Sequence, residues 1–421
     1  MSMSSPLIYE SPKELRRFDI YATMLKLIDN HIKYSFDFCQ QCGACRYVCP
    51  TNAIAYQRAD NGLKTVIIDD DKCVRCQRCV RTCPANRNLY IHDYVENLKG
   101  KHYCFAYNDD DRIRHSSSSG GACKTIIVES LKCGLVDGVY SLKKLEYYPS
   151  AEGEFYTKDN IPSYDDLPNS VYHSIMACTE IKKVTKVHRM MIVGTSCQLY
   201  ALEKALKGKY DELVKVCIFC KQQKHLGSTK FLSKVIGEQI DDGMKFTTRY
   251  RGDGWPGFVR INAKSIKWET AAILPFGRRL WCVPGCDICG DPFGIEIGAD
   301  ISLMDPWVIK EENSLGETLI TVHSDKGRML LHDIPHLVIE EKSYQEIIKA
   351  LGEEDVWRKR ETVPYFLGNN VSQLVKDAGD AELRQRAMLE KILNRIPRMP
   401  IFFYRLLNKL FPKKRDQLLK I

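Results

Sequence analysis

The chain has 421 residues, of which 44% are hydrophobic and 27% are charged. This length predicts two to four domains, and the composition excludes both a disordered chain and one built mainly of membrane spans. The net charge is +9, and the segment 391–421 alone holds nine Lys or Arg against one acid, a balance of +8. The rest of the chain is therefore close to neutral, which argues against a broad nucleic-acid-binding face.

The chain contains 18 cysteines but starts MSMSSPLIYESPKEL, without the basic and apolar regions of a secretory signal. A cytoplasmic location is therefore expected. In a reducing compartment, grouped cysteines are typical of metal ligands or catalytic thiols rather than of disulfides.

The N-terminal part is predicted to be helical, because residues 11–34 place apolar side chains at helical spacing after a Ser-Pro start. Two short apolar runs, 53–56 and 65–68, flank Asp60-Asn61-Gly62, which predicts a β-hairpin. After residue 100 the pattern is that of an α/β domain, with strands alternating with helices. The predicted strands are 102–107, 136–142 and 190–194, and the predicted helices are 122–132 and 198–207.

Residues 246–268 alternate like antiparallel strands around a Gly/Pro turn, and the pattern is helical from about 343 to the end. The only internal repeat is a cysteine run that frames the hairpin, Cys-x2-Cys-x2-Cys-x3-Cys-Pro. It occurs as Cys39, Cys42, Cys45 and Cys49 and again as Cys73, Cys76, Cys79 and Cys83.

This spacing is typical of bacterial ferredoxins, in which three close thiolates bind one 4Fe-4S cube and the fourth reaches the other cube. We expect Cys83 to complete the cube of the first run and Cys49 to complete that of the second. Structural zinc is the alternative, but zinc gives no reason to repeat a third cysteine and a following proline. Two neighbouring cubes form a relay for single electrons.

Downstream segments resemble the family of coenzyme F(420) hydrogenase/dehydrogenase beta subunits over about residues 36–335. The matching segments are RIRHSSSSGGACKTIIVESLKCGLVDGVY at 112–140, VGTSCQLYAL at 193–202, CIFC at 217–220, RYRGDGWPG at 249–257 and CDICGDPFGIEIGADISLMDPW at 286–307. The resemblance implies an α/β flavoprotein that binds FAD and exchanges electrons between iron–sulfur clusters and a hydride-carrying substrate. Such substrates include a deazaflavin coenzyme, and bacterial members often accompany surface-polysaccharide enzymes.

The family match implies a cofactor site formed by Arg114, Ser117, Ser118, Ser119, Gly120, Gly121, Gly194, Thr195, Trp255 and Asp305. Independently of the family, a Ser-Gly loop before a helix suits an anion, because helix N-terminal amides face it. Such loops are also ordinary helix caps. No catalytic acid is assigned, although His115, His173 and His225 lie near the motifs.

The family also places a 4Fe-4S cluster beside the flavin, and motif matching gives Cys197, Cys220, Cys286 and Cys289 as its ligands. Cys217 and Cys282 are spare neighbours, and burial as small apolar side chains is the alternative. Four cysteines lack ligand spacing and are expected in the core: Cys104, Cys123, Cys133 and Cys178. Two residues depart from the family pattern. Ser196 replaces a proline, and Met304 replaces a glycine, where it is expected to narrow the flavin or substrate cleft.

The tail segment 392–415, ILNRIPRMPIFFYRLLNKLFPKKR, interleaves apolar and basic residues. This composition suits a helix that lies in an anionic membrane surface, and equally an amphipathic helix docked on the protein or on a partner.

Together these patterns predict an α+β ferredoxin domain fused to an α/β flavoprotein domain, with a helical C-terminal tail. The predicted parts are an N-terminal helix (1–34), the two-cluster ferredoxin domain (35–92), two family modules (100–180 and 181–342) and the basic tail (343–421). The predicted function is electron transfer between 4Fe-4S clusters, FAD and a small-molecule redox substrate, with coenzyme F(420) as a further candidate cofactor. The alternatives are a deazaflavin-oxidising subunit of a larger complex, partnered by a ferredoxin or another oxidoreductase subunit, and a flavin-free electron carrier.

Overall fold

The computed structural model describes residues 38–59, 61–86, 94–240, 245–307 and 315–411, so the helix predicted over 11–34 lies outside the described residues. The strands are β1 (Ile54–Arg58), β2 (Lys64–Ile68), β3 (His102–Asn108), β4 (Gly138–Lys144), β5 (Ala151–Thr157), β6 (Arg189–Gly194), β7 (Glu212–Ile218), β8 (Thr248–Tyr250), β9 (Phe258–Ile261), β10 (Lys264–Lys267), β11 (Ile301–Met304), β12 (Thr318–Val322) and β13 (Leu337–Lys342).

The α-helices are α1 (Ala44–Tyr47), α2 (Arg78–Thr82), α3 (Tyr94–Lys99), α4 (Asp111–Ser116), α5 (Ala122–Lys132), α6 (Ser196–Ala205), α7 (Leu226–Ile236), α8 (Trp268–Ala272), α9 (Asp325–His332), α10 (Tyr344–Leu351), α11 (Glu353–Phe366), α12 (Gln373–Arg395) and α13 (Ile401–Leu410). Within the described part of the chain, no helix is both long enough and apolar enough to cross a membrane.

The cysteine-rich part is built on the predicted hairpin, in which β1 and β2 pair antiparallel with Ile54 opposite Ile68. Ile54, Val66 and Val80 form a small buried cluster against which Cys45, Cys49, Cys79 and Cys83 pack. The hairpin and α2 thus supply a compact support for both cysteine runs. The hairpin prediction is confirmed.

The α/β part is an eight-stranded mixed sheet in the order β13-β3-β12-β11-β7-β6-β4-β5. The pairs β11/β7, β7/β6 and β6/β4 are parallel, whereas β12 is antiparallel to both β11 and β3. β3 therefore runs in the same direction as β11, β7, β6 and β4. Because parallel strands end at the same edge, the segments that follow these five strands meet there.

Both faces of the sheet are covered, as the alternation along β6 shows. Met191 and Val193 face one cluster, which includes Ile126 of α5 and Leu330 of α9. Met190 and Ile192 face a second cluster, which includes residues of α6 and also Cys42 and Ala44 from the ferredoxin-like part. The two cysteine runs are therefore packed on α6, directly over the sheet.

A second, three-stranded antiparallel sheet has the order β10-β9-β8 and agrees with the alternation predicted over 246–268. Its apolar face and α7 enclose Trp268 and Trp281, together with Leu389 of α12 and Tyr404 of α13. The described residues after 343 form four helices, α10 to α13. This subdomain lies beside the edge of the large sheet where the parallel strands end.

Candidate redox site

The first group of thiols forms around the loop that leads into α1. The pKa of Cys39 is raised to about 11, chiefly by burial and also by the neighbouring Cys42. Burial likewise raises the pKa of Cys45 and Cys83, and the charges of Cys39 and Cys42 add to both shifts. Cys39, Cys42, Cys45 and Cys83 therefore lie together, so the last cysteine of the second run joins the first three of the first run.

Local backbone geometry explains this convergence. Gln41 and Gly43 have positive φ values of 58° and 88°, which turns the chain back between successive cysteines. The Tyr56 hydroxyl donates a hydrogen bond of 2.8 Å to the Gly43 carbonyl and lies 3.2 Å from Cys45 Sγ. The hairpin thus holds the loop in place, and the amide of Gln41 donates to Cys39 Sγ over 3.4 Å.

The second group contains Cys49, Cys73, Cys76 and Cys79, which line one open cavity. Burial raises the pKa of Cys79, and the charges of the other three cysteines add to the shift. Burial would raise the pKa of Cys49 as well, but hydrogen bonds from Thr51 and from the Ala53 amide outweigh it, and the pKa is lowered. Lowering the pKa favours the thiolate, which is the form that binds metal.

A third set of cysteines lies where the parallel strands end. β6 and β7 pair with Gly194 opposite Cys217, and Cys197 and Cys220 follow the ends of these two strands. The amide of Cys220 donates to the Pro292 carbonyl over 3.1 Å, and Cys286 Sγ accepts from the Gln223 amide over 3.2 Å. The segment containing Cys286 and Cys289 thus folds over the strand ends that carry Cys220 and Cys197.

The two spare cysteines have different surroundings. A Cβ atom on Gly294 would lie 2.8 Å from Cys217 Sγ, and Cys217 is fully buried in the cluster beneath α6. Cys282 Sγ lies 3.4 Å from the Lys224 ammonium, whose pKa burial lowers to about 8. Among the described residues, no three His, Cys, Asp or Glu side chains are arranged to hold a single metal ion.

The ferredoxin-like part touches this third set of cysteines directly. Gln40 Nε2 donates to the Gly285 carbonyl over 3.3 Å, and a Cβ atom on Gly285 would lie 2.9 Å from the carbonyl carbon of Cys39. Ile288, between Cys286 and Cys289, packs in one cluster with Ala85, and Cys83 packs against that cluster. Two ligands predicted for the first cube are therefore neighbours of the segment predicted to bind the third.

The Ser-Gly loop, residues 117–121, is tied to the start of β12. The hydroxyls of all three serines are engaged within the protein: Ser117 donates to Ile113, Ser118 accepts from the Ser170 amide, and Ser119 donates to the Glu317 carbonyl. A Cβ atom on Gly120 would lie 2.8 Å from the Ala106 carbonyl oxygen, so close backbone packing requires glycine there. The N-terminal amides of α5 are the groups that this loop could still offer to an anion.

Arg114 also connects this region to the start of β12 and does not line an open site. Its guanidinium donates to the Gly316 carbonyl over 2.7 Å, pairs with Glu317 at 3.2 Å and lies 3.7 Å above the Tyr107 ring. The protein itself thus satisfies its charge.

Arg251 occupies a different environment at the same edge. It is buried, with its guanidinium carbon 4.4–5.1 Å from the ring centres of Trp255, Trp268 and Trp307. Nη2 donates to the Ser118 carbonyl over 2.9 Å and Nη1 lies 3.4 Å from Asp305, while Nε and Nη1 make no hydrogen bond with any described residue. A buried guanidinium with such donors can bind an anionic or carbonyl-rich ligand.

Asp305 pairs with Arg251, and together with Trp255, Trp268 and Trp307 they form a group that we call the corner around Arg251. Burial raises the pKa of Asp305, and the charge of Arg251 and the hydroxyl of Ser119 offset the shift only in part. The ring of Tyr172 stacks on Trp268, with 5.0 Å between ring centres. Burial raises the pKa of Tyr172 to about 12, the charges of Asp305 and Cys220 add to this shift, and Arg251 opposes it. Tyr172 therefore connects the corner to the third set of cysteines.

The remaining residues of the predicted cofactor site lie further along the same edge. Gly194 ends β6 and Thr195 caps α6, and three strands separate β6 from β3, which precedes the Ser-Gly loop. Strands are about 4.8 Å apart, so these positions are separated by roughly 19 Å. Trp255 and Asp305 lie at the corner of Arg251. The Ser-Gly loop touches that corner, whereas Gly194 and Thr195 stand beside Cys197.

Three expectations need correction or refinement. Met304 does not narrow a cleft, because its side chain packs in a buried cluster with Phe293 and Leu319. Cys133 is exposed at the end of α5, not in the core. Ser196, which replaces the family's proline, donates a 2.7 Å hydrogen bond to Asp291 and so holds the segment that follows Cys289.

The three histidines near the motifs have structural environments. His115 is exposed, and its carbonyl accepts from the Gly254 amide. His225 caps α7 by accepting from the Gly227 amide. His173 is fully buried, with Nε2 donating to the Pro149 carbonyl over 2.7 Å, and burial lowers its pKa to about 4.

His173 is therefore expected to make the fold acid-sensitive. Its pKa is about 4 when folded and about 6.5 when unfolded, so the unfolded state binds the proton more tightly. The stabilisation is complete above pH 6.5 and is lost as the pH falls towards 4, by about 2 kcal/mol at pH 5. Denaturant unfolding at pH 8 and pH 5 measures this loss. His173→Gln should reduce the difference by that amount, and a change equal to that of the exposed control His332→Gln would contradict the assignment.

Two family models match the chain. One is the 4Fe-4S dicluster domain, over residues 38–87, and the other is the C terminus of the coenzyme F(420) hydrogenase/dehydrogenase beta subunit, over residues 187–346. The first covers both cysteine runs. The second covers the third set of cysteines, Arg251 and Asp305.

Two curated relatives are similar to parts of the chain, and the chain spans 58% of the longer alignment's partner. A subunit of the F(420)H(2) dehydrogenase of Methanosarcina mazei is 23% identical over 213 residues, 48% of this chain and 58% of that protein. A ferredoxin-like protein in the nif region of Sinorhizobium fredii is 38% identical over 52 residues, 11% of this chain and 73% of that protein. A chain of the F(420)-reducing NiFe hydrogenase complex from Methanosarcina barkeri superposes with a TM-score of 0.45 at 16% identity, covering 63% of this chain and 90% of that one.

Proposed function

The chain belongs to the family of coenzyme F(420) hydrogenase/dehydrogenase beta subunits and carries an N-terminal 4Fe-4S dicluster domain, and on this basis we propose that it is an iron–sulfur flavoprotein oxidoreductase. In this proposal, electrons pass between the two ferredoxin cubes, a third cluster and FAD, and then to or from a small-molecule hydride acceptor or donor. The ligands of the cubes are the two groups of cysteines described above, and those of the third cluster are Cys197, Cys220, Cys286 and Cys289.

The contact between Cys39 and Gly285 carries this proposal. A relay needs neighbouring redox centres, because the clusters supply the redox levels and the protein supplies their spacing. Gln40 and Ile288 hold the ferredoxin-like part against the segment with Cys286. That segment bonds through the Pro292 carbonyl to the amide of Cys220, and Cys220 lies close enough to Tyr172 to contribute to its raised pKa. In this proposal the redox centres follow one another in the order second cube, first cube, third cluster and flavin, with the flavin bound at the corner around Arg251.

The corner around Arg251 fits an anionic, planar ring. Trp255 and Trp307 present partly exposed indoles, with ring centres 5.1 Å apart, and the unmet donors of Arg251 lie behind them. Arg251 would bind a carbonyl or anionic edge, the indoles would stack on the ring, and Asp305 would hold a proton beside it. A flavin bound there accepts a hydride and releases single electrons, which is the chemistry that a cluster relay requires.

Trp307→Ala tests where the flavin binds. Trp307 is 42% exposed, so its loss should leave the fold intact. Removing one aromatic stacking surface should weaken flavin binding about tenfold. Flavin retained through anaerobic gel filtration is the measurement, with Tyr147→Ala as an exposed aromatic control. Wild-type flavin retention in Trp307→Ala would place the flavin elsewhere.

Anaerobic purification followed by iron, sulfide and flavin analysis tests the cofactor content. We expect about twelve irons and one flavin per chain, because each cube holds four irons. Eight irons without flavin would leave only a ferredoxin-like carrier. Zinc in place of iron would overturn the cluster assignment.

Oxidation of a reduced deazaflavin, as the electron-input subunit of a larger complex, is the second candidate, and the name of the Methanosarcina mazei relative favours it. Adding reduced coenzyme F(420) to the anaerobic protein with a one-electron dye as acceptor distinguishes the two. Dye reduction supports deazaflavin use, and its absence in a protein that holds twelve irons and flavin points to another hydride donor or acceptor. The cytoplasmic location and a role in surface-polysaccharide synthesis stay predictions from the sequence.

A further inference from the structure

Helix α13 has a fixed orientation on the protein, because its inner half is anchored. Tyr404 is buried and packs edge-on against Phe231, with ring centres 5.4 Å apart, and its hydroxyl accepts from the Met399 amide over 3.1 Å. The Arg278 guanidinium donates to Asn408. Phe403 and Leu407 also face the buried cluster of the three-stranded sheet. The opposite half of the helix is therefore presented outward.

The outer half combines apolar and basic side chains. Ile401, Phe402, Leu406 and Leu410 are 39%, 69%, 48% and 62% exposed. They are four of the twelve large apolar side chains that the described residues expose, so this one helix concentrates a third of them. Arg405 and Lys409 are exposed between them. At 100° per residue, all six fall within one half of the helix; we call this set the outer face of α13.

We propose that the outer face of α13 binds an anionic membrane surface and holds the protein there peripherally. Phe402, Leu406 and Leu410 would enter the boundary between headgroups and acyl chains, while Arg405 and Lys409 contact lipid phosphates. The segment 391–421 carries nine basic residues against one acid, which adds attraction to a negatively charged leaflet.

The mixture of side chains favours lipid over a protein partner. The cores of protein–protein interfaces are depleted in lysine, whereas Lys409 stands among the apolar residues of the outer face. Amphipathic helices that lie in membrane interfaces have this arrangement, with basic residues beside aromatic and leucine side chains. Because α13 is already anchored through Tyr404, no new helix has to form on binding, which lowers the entropic cost.

Sedimentation of the full chain, purified anaerobically, with vesicles tests the proposal. We expect binding to vesicles of phosphatidylcholine and phosphatidylserine, weak binding to phosphatidylcholine alone, and release at high salt, which screens the charges. Phe402→Asp with Leu406→Asp should lower the partition coefficient at least about tenfold. Arg405→Glu with Lys409→Glu lowers the net charge of the segment 391–421 from +8 to +4 and should markedly weaken the preference for phosphatidylserine while leaving the fold intact.

Matched controls place the same changes on other helices. Met329→Asp with Leu374→Asp removes two exposed apolar side chains, and Arg328→Glu with Lys349→Glu reverses two exposed charges. These variants should bind vesicles like the wild type. Equal binding of all variants would overturn the proposal. A second outcome would also overturn the proposal: the protein forms a dimer and does not bind vesicles, and Phe402→Asp with Leu406→Asp dissociates that dimer. A second copy of the chain would then cover the outer face. Iron content and the unfolding midpoint should stay unchanged in every variant.

Discussion

Replacing Cys83 with alanine is expected to remove one whole cube and to leave the other intact. Cys83 follows α2 in the second cysteine run, but its neighbours are Cys39 and Cys42 of the first run. We expect a cube held by only three of its four thiolates to be lost on purification, so the iron content should fall by about four atoms per chain. Cys45→Ala should give the same iron loss and the same remaining electron paramagnetic resonance signal.

Cys49→Ala and Cys76→Ala are each expected to remove the other cube. Both cysteines belong to the second group. The two variants should therefore show the same electron paramagnetic resonance signal from the remaining cube, and this signal should differ from that of Cys83→Ala. Cys133→Ala is the control, because this cysteine is exposed at the end of α5 and belongs to neither group. If Cys83→Ala instead matched Cys76→Ala, each run would bind its own cube, and the exchange of fourth ligands would be wrong.

On the proposed function, Gly285→Ala is expected to slow electron transfer between the ferredoxin cubes and the proposed flavin without removing either. A Cβ atom there would clash with the Phe38 carbonyl oxygen and lie 2.9 Å from the Cys39 carbonyl carbon, both backbone atoms that cannot swing aside. The ferredoxin-like part must therefore shift away from Cys286. Displacements of about 1 Å within a reacting assembly can cost about a hundredfold in rate, so we expect a loss of about tenfold or more in flavin reduction.

Stopped-flow mixing with a low-potential reductant measures this rate as bleaching of the flavin. Gly100→Ala is the matched control, because a Cβ atom on Gly100 would contact no described residue within 4 Å. Iron and flavin contents should equal those of the wild type in both variants. A wild-type rate in Gly285→Ala, with intact cofactors, would show that electrons do not cross this contact.

Spacing alone identified the ferredoxin-like part, because three of the four thiolates of each cube come from neighbouring positions in the chain. Each run places three thiols within seven residues, and Asn61-Gly62 between them dictates the turn of a hairpin that the structure contains. The exchange of Cys49 and Cys83 was expected on the same grounds. Several strands and helices of the α/β part, such as helix 122–132, also followed from periodicity.

The corner around Arg251 could not be found in this way. Its aromatic side chains come from positions 255, 268 and 307, and its acid follows β11, so no local pattern unites them. Sequence reasoning named Trp255 and Asp305 from a family match but missed Arg251 itself, although it lies within the same RYRGDGWPG motif. The unmet donors of a buried guanidinium were the decisive feature, and burial is a tertiary property.

The Ser-Gly loop shows the opposite case, because a local pattern there suggested an anion site. Tertiary contacts to Glu317 and Ser170 occupy its serine hydroxyls, and close packing against the Ala106 carbonyl explains Gly120. The role of the tail likewise depends on tertiary contacts. Its sequence allowed either docking or membrane contact, and the structure assigns the two faces of one helix to different surroundings, with Tyr404 inside and Phe402 outside.

The two cysteine runs were thus evident from the chain alone, because the cysteines of each run are close together along it and the backbone turns between them are local. What these runs face depends on the tertiary fold. The contact of Cys39 with Gly285 joins residues 246 positions apart, and the edge of the large sheet gathers Cys220, Tyr172 and Arg251 from separate segments. Strand order and packing, which no short motif encodes, brought these residues together.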